Sequence, residues 1–327
     1  HTPIPIPKAL KIPDAKAAVD KEWKKLFDKK AFDLKSVRPR AEVKAEAQRT
    51  GVKKHFGTVR DLCHEKHSEL RLKVKVYKGR VIFRGDMVKD EDGFMAVFSE
   101  QGTSASHMAA AKMMDALARM PDCDGEDSDA IGAYTQVALS EAQALIGTSK
   151  DEYIETWISL PKERQPASWA NIKDPVCILR LNLYGHPLAG LIWERYCQKA
   201  IFAEGFTTVP GWECLYENKK EQLYLSVYVD DFKMAGNAAN LKKMWPRLSK
   251  HLDLEPPVPL DGNVYLGCGQ REIHPPKECI EEKTKLFEKL VYNRQKEPGD
   301  NPERLEHGGD NSEIADLTPK PPTHHEG

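Results

Sequence analysis

The chain contains no apolar run near the ~20 residues needed to cross a bilayer, so no membrane-spanning helix is expected. A secretory leader pattern is also lacking. None of its seven cysteines (Cys63, Cys123, Cys177, Cys197, Cys214, Cys268 and Cys279) falls in a Cys-x-x-Cys pair. That spacing excludes a zinc module or disulfide framework and predicts reduced thiols in an intracellular protein. The one group with metal-like spacing is Cys63-His64 with His67. It has no matching second pair and reads as surface residues. Net charge is nearly absent too, at −1, and predicts no nucleic-acid partner by itself. The sequence begins at His1 rather than Met and reads as a segment of a longer protein.

The 327 residues, 40% hydrophobic and 30% charged, suffice for one large or two ordinary globular domains with a sizeable core. The distribution of charge says more than its total. Residues 1–90 hold 24 Lys and Arg against 12 Asp and Glu, whereas residues 91–155 hold 3 against 13. A basic segment beside an acidic one fits a phosphate-binding surface next to a cation site, although a solvated, salt-bridged surface has the same counts.

The most informative stretch is Leu223 to Ala235. Leu223, Leu225, Val227 and Val229 alternate with Tyr224, Ser226 and Tyr228, which predicts a strand with two unlike faces. Phe232, Met234 and Ala235 supply a returning strand, placing Asp230 and Asp231 at a hairpin tip. Adjacent carboxylates repel and are poor strand formers. A cation would offset that repulsion, and Mg²⁺ takes carboxylate oxygens. The plain alternative is an Asp-Asp turn.

Along the chain, residues 1–15 are Pro-rich and predicted extended. Ala15 to Phe32 has Val19, Trp23, Leu26 and Phe27 at helical spacing. Residues 34–66 are basic and mixed, with no assigned element. Glu69 to Arg84 reads as a basic β-hairpin turning at Lys78-Gly79. Ser104 to Met120 is predicted helical, with Met108, Ala111, Met114 and Ala118 on one face. Asp129 falls at a strand end five residues before Tyr134, or else caps a helix. Strands are expected at Tyr153–Leu160 and Cys177–Leu183, with a turn at Tyr184–Gly190. A helix is expected at Leu191–Phe206. A second is expected at Asn240–Leu252, capped by Asn240 and kinked at Pro246. Val264–Cys268 reads as a short strand, and the chain beyond Lys296 as disordered.

Five blocks in this order resemble one family. Tyr77-Lys-Gly-Arg-Val-Ile-Phe-Arg-Gly85 resembles a fingers segment. Asp129-Ala-Ile-Gly-Ala-Tyr134 resembles a palm segment with its first catalytic Asp and an aromatic gate. Leu183-Tyr-Gly-His-Pro-Leu-Ala-Gly-Leu-Ile-Trp193, Tyr228-Val-Asp-Asp231 and Tyr265-Leu-Gly267 complete the set. From about Lys21 to Ile273 the chain resembles the reverse-transcriptase domain of a copia-type LTR retrotransposon polyprotein.

The resemblance implies an α+β fold: fingers and palm of a right-hand polymerase, an antiparallel palm sheet with packed helices, and a truncated thumb. Its parts would be an N-terminal extension over 1–66, fingers and palm over 67–273, and a partial thumb with a disordered tail over 274–327. It implies RNA-directed DNA polymerase activity on an RNA or DNA template with primer, using dNTPs and two Mg²⁺ ions, with Mn²⁺ as the alternative cation. Asp129 and Asp230 would bridge the metals and Asp231 would assist. Lys78, Arg80 and Arg84 would neutralise the triphosphate. Tyr134 would exclude a 2′-hydroxyl, Leu188 would line the nucleotide pocket, and Leu266 and Gly267 would position the primer end. The chain departs from the family at Leu188, where Gln is usual, and at Gly190-Leu191 in place of Pro-Arg. A non-catalytic remnant that keeps the fold, and an unrelated protein with an incidental Asp-Asp turn, are the competing readings.

Overall fold

A computed structural model describes residues 2–66, 75–98, 105–146, 153–271 and 273–291. In chain order the first strands and helices are β1 (Thr2–Ile4), α1 (Ile6–Ala9), α2 (Pro13–Asp28), β2 (Phe32–Pro39), α3 (Arg40–Thr50), β3 (His55–Lys66) and β4 (Val76–Phe83). Next come α4 (Met108–Leu117), β5 (Cys123–Asp129), α5 (Ala142–Ile146), β6 (Thr156–Ser159), β7 (Pro175–Leu179) and α6 (Ala189–Ala203). They are followed by β8 (Thr207–Thr208), β9 (Leu215–Asn218), β10 (Leu223–Tyr228), β11 (Asp231–Asn237) and α7 (Ala238–Leu248). The last elements are β12 (Val258–Pro259), β13 (Val264–Tyr265), β14 (Cys268–Gly269) and α8 (Lys277–Val291). The fold is mixed α+β with several sheets. Among the described residues no helix is long and apolar enough to cross a membrane.

The chain forms two units, His1–Arg271 and Glu272–Gly327. In the second, α8 alternates acidic and basic residues with Ile280, Leu286 and Phe287. The first carries two six-stranded sheets and a small hairpin. One sheet runs β1-β3-β6-β7-β2 with β4 also on β3, and among the described residues its one parallel pairing is β3 with β6. The other runs β12-β5-β11-β10-β9-β8 and is antiparallel throughout.

Helix α2 buries Val19, Trp23 and Leu26 of the expected stripe, with Ala15 beside them and Phe27 only partly buried, but Pro13 opens it and Phe32 already belongs to β2. The segment left unassigned, 34–66, supplies most of β2 and all of α3 and β3. Its strand pattern is masked because the buried face of β3 runs Val59, Asp61, Cys63. Asp61 sits there because its carboxylate accepts the indole N–H of Trp23.

The expected turn at Lys78-Gly79 is not a turn. Strand β4 runs straight through it and pairs with β3 from Val59↔Phe83 to Lys66↔Val76. Gly79 lies where α2 crosses the strand: a Cβ there would come 2.5 Å from the Ala18 carbonyl oxygen. The start of that predicted hairpin, 69–74, lies outside the described residues, as does the tail beyond Lys296. Helix α7 is capped by Asn237, whose side chain accepts from the Asn240 N–H, not by Asn240 itself. Val264–Cys268 is not one strand but the hairpin β13–β14, turning through Leu266 (φ 48°) and Gly267 (φ 81°).

The Leu183–Trp193 block joins the two sheets. The Phe83 N–H donates to the Tyr184 carbonyl at 2.8 Å. His186 is buried against the Phe83 and Phe98 rings. Its Nδ1 accepts the Leu188 N–H, which leaves the proton on Nε2, facing Thr156. Burial, with a smaller push from His55, holds His186 down at about 3 against an ordinary 6.5. The ring is therefore neutral in the fold and protonates in the unfolded chain first. This contribution to stability is fully present above pH 6.5 and is lost as pH falls from there toward 3. We expect the urea midpoint to fall on that side of neutrality, with a slope of up to about 1.4 kcal/mol per pH unit. His186→Gln should flatten that slope; equal slopes for variant and parent would contradict it.

Candidate active site

The central hairpin carries the site. Strand β10 is covered on both faces up to Val227, since Tyr224 packs against α4 and Ser226 donates to Ser106 just before it, while Tyr228 at its end is exposed. The two-residue tip is Val229-Asp230, and Asp231 is the first residue of β11, paired with Tyr228. The expectation that both aspartates form the tip is thus corrected by one residue. Val229 has φ 58°, unusual for a β-branched residue and a store of backbone strain. Its carbonyl accepts the Trp193 indole N–H at 2.7 Å, and the Asp230 carbonyl accepts the Ala130 N–H at 2.7 Å. Trp193→Phe should therefore lower stability by about 1–3 kcal/mol, read as a shift in denaturant midpoint, by leaving that carbonyl unpaired. An unchanged midpoint would show that the tip holds itself.

Asp129 ends β5, not a helix cap, and lies directly across from Asp231 in the ladder. The three aspartates are thereby neighbours. Burial pushes the Asp231 carboxyl up to about 6, and Asp230 and then Asp129 add to the shift. A raised carboxylate means the fold binds this proton more tightly than the unfolded chain does. The favourable contribution is full below pH 3.8 and is lost as pH rises through 6. Asp231→Asn should accordingly raise the urea midpoint at pH 7.5 and lose much of that advantage at pH 5. An advantage equal at both values would refute the shift.

A cleft of about 220 Å³ opens beside these acids. Asp129 and Asp230 line it together with Lys78 and Arg80 of β4, Lys25 and Glu22 of α2, and Tyr184 and Glu255. Burial lowers the Lys78 ammonium pKa and Arg80 lowers it further, while Asp230 opposes them. Arg80 stacks 5.7 Å over the Tyr184 ring, which in turn contacts Tyr134 at 4.4 Å. Gly132 (φ 60°) turns the chain out of β5, and a Cβ there would come 3.0 Å from Lys25 Nζ.

Four residues expected at the site are elsewhere. Arg84 lies past the end of β4 and pairs with Asp86 at 2.8 Å. Leu188 is buried in the main core just before α6. Leu266 and Gly267 form the β13–β14 turn and do not line the cleft. Tyr134 is half-buried and borders an adjacent apolar recess with Trp193. Conversely, Lys25, Glu22, Tyr184 and Glu255 were not anticipated. Glu22 and Lys25 are three apart on the polar side of α2, which flags a shared face but not what it meets.

Among the described residues no group of three or more His, Cys, Asp or Glu side chains is arranged to hold a metal ion. An open pair of carboxylates still fits Mg²⁺, which takes one or two of them and fills its other positions with water and substrate phosphates. The mutual repulsion recorded in Asp231 is what such a cation would relieve. No protein-family model matches the sequence, and no curated protein matches it significantly.

Proposed function

We propose that this chain supplies the fingers and palm of an RNA-directed DNA polymerase of the copia-type retrotransposon kind, acting on a primed RNA or DNA template with dNTPs. The observation that carries this reading is the pairing of Asp129 with Asp231 beside the Asp230 tip, with Lys78 and Arg80 lining the same cleft as Asp129 and Asp230. Asp129 and Asp230 would hold Mg²⁺, or Mn²⁺ in its place, with Asp231 assisting. The bound ions would supply Lewis-acid charge at the attacking and leaving oxygens. Lys78 and Arg80 bind the triphosphate and neutralise charge that grows on the departing pyrophosphate. The primer 3′-hydroxyl attacks the α-phosphate, and the bond to pyrophosphate breaks. Arg84 is held by Asp86 and is left out of this assignment.

Tyr134 would sit beneath the sugar. Tyr134→Ala should admit ribonucleotides while deoxynucleotide use stays comparatively intact, measured as the ratio of kcat/KM values for the two. Equal discrimination by variant and parent would make Tyr134 a structural aromatic only. The reading as a whole is tested by primer extension on an RNA template with Mg²⁺. A non-catalytic remnant is the second reading. One observation favours it: Leu188, where the family usually places Gln, is in the core and offers the cleft no polar atom.

A further inference from the structure

Lys233 is an ammonium in the middle of a sheet, with no exposed surface at all. Taking a charge wholly out of water is costly, so an aliphatic side chain would suit the position better by desolvation alone. Its contacts explain it. Nζ lies 2.7 Å from Asp115 of α4, 3.2 Å from Asp127 of β5, and 4.5 Å over the Tyr265 ring of the small hairpin. The hairpin returns two bonds to the same acids: the Asn263 amide donates to Asp127 at 2.9 Å, and the Gln270 amide to Asp115 at 2.8 Å.

The hairpin needs such fixing. Each of its strands is two residues long, and Val264, Cys268 and Gly269 are exposed. A ribbon of that size has too little buried surface to hold its own position. Buried ion networks add little net stability, but in some proteins they specify arrangement, because an alternative packing would leave a charge unpaired. The network occupies the sheet face shared with Asp129 and Asp231, two residues along each strand, and the Tyr265 hydroxyl lies in the field of Asp231.

We infer that the Lys233–Asp127–Asp115 network is a latch that fixes the β13–β14 hairpin against the catalytic strands, making Lys233 a positioning residue for whatever nucleic-acid end the hairpin presents to the aspartates. The latch stands on its own geometry; what it positions rests on the polymerase reading.

Two variants and two readouts test it. Asn263→Ala/Gln270→Ala cuts only the hairpin's own bonds and leaves the buried ion pairs intact. Lys233→Met/Asp127→Asn removes the two fully buried charges together and leaves the partly exposed Asp115 with its Gln270 hydrogen bond. Amide hydrogen exchange over 262–270 should speed up at least about tenfold in both, while exchange over 223–237 stays within about twofold. In steady-state extension, KM for primer-template should rise about tenfold in both, with KM for dNTP nearly unchanged. Unchanged hairpin exchange in both variants would overturn the latch and leave Lys233 as a core ion pair. Faster hairpin exchange with an unchanged primer-template KM would overturn the positioning role. If the parent extends no primer, the exchange arm still decides the latch, and the polymerase reading fails separately.

Discussion

Asp230→Asn is expected to reduce primer extension by more than about a thousandfold while leaving the fold intact, an effect worth upwards of about 4 kcal/mol in the barrier. Asparagine keeps the shape of the side chain and loses the anionic charge that Mg²⁺ requires. The structural duty of this residue is carried by its backbone carbonyl, which accepts the Ala130 N–H, and the substitution does not touch it. Template binding should survive, because phosphate contacts spread over many Lys and Arg and depend steeply on salt. The variant should also lose any thermal stabilisation that Mg²⁺ gives the parent. It should be slightly more stable than the parent without metal, since one of the charges pressing on Asp231 is gone. An active parent whose Asp230→Asn variant extends primers equally well would refute the role given to the hairpin tip.

The largest stability effect is expected at Gly185. Its φ of 86° is one that side-chain-bearing residues rarely adopt, and a Cβ would come 2.1 Å from the Phe83 carbonyl oxygen. Backbone meets backbone here, so no side chain can swing aside. The close approach lets Tyr184 accept the Phe83 N–H and lets Gly85 pass 2.3 Å, measured from an added Cβ, from the Gly185 carbonyl. Gly185→Ala should cost about 4 kcal/mol or more, or abolish folding outright. Gly262→Ala is the control: φ there is 73°, but nothing lies within 4 Å of the added Cβ. It should cost only about 1 kcal/mol, the conformational part. Equal losses of urea midpoint would show that the close backbone approach of 83–85 to 184–186 is not what makes Gly185 sensitive.

These two sites show what could be read from sequence and what could not. The β10–β11 hairpin was legible because apolar alternation is a local signal, whereas Asp129 stayed open between a strand end and a helix cap because the strand it ends, Cys-Asp-Gly-Glu-Asp-Ser-Asp, carries no apolar alternation. The helices α2, α4 and α6 were found from their stripes, with ends displaced by a few residues. Local patterns failed where a buried polar residue served a distant partner. Asp61 hides the buried face of β3 because it answers Trp23, and Lys233 looks like a surface residue until Asp115 and Asp127 are placed beside it. Gly79 was misread because glycine marks a turn or a close approach equally well, and only the passage of α2 decides between them. Glu22 and Lys25 could not be found at all, since nothing in a helix says which strand it will cross.

The most direct test of the central claim is extension of a DNA primer on an RNA template by the parent protein, supplied with dNTPs and titrated with Mg²⁺. The account predicts metal-dependent addition of templated deoxynucleotides, abolished by Asp230→Asn and strongly reduced by Lys78→Ala/Arg80→Ala. A correctly folded parent that binds the primed template yet adds no nucleotide with either Mg²⁺ or Mn²⁺ would contradict it.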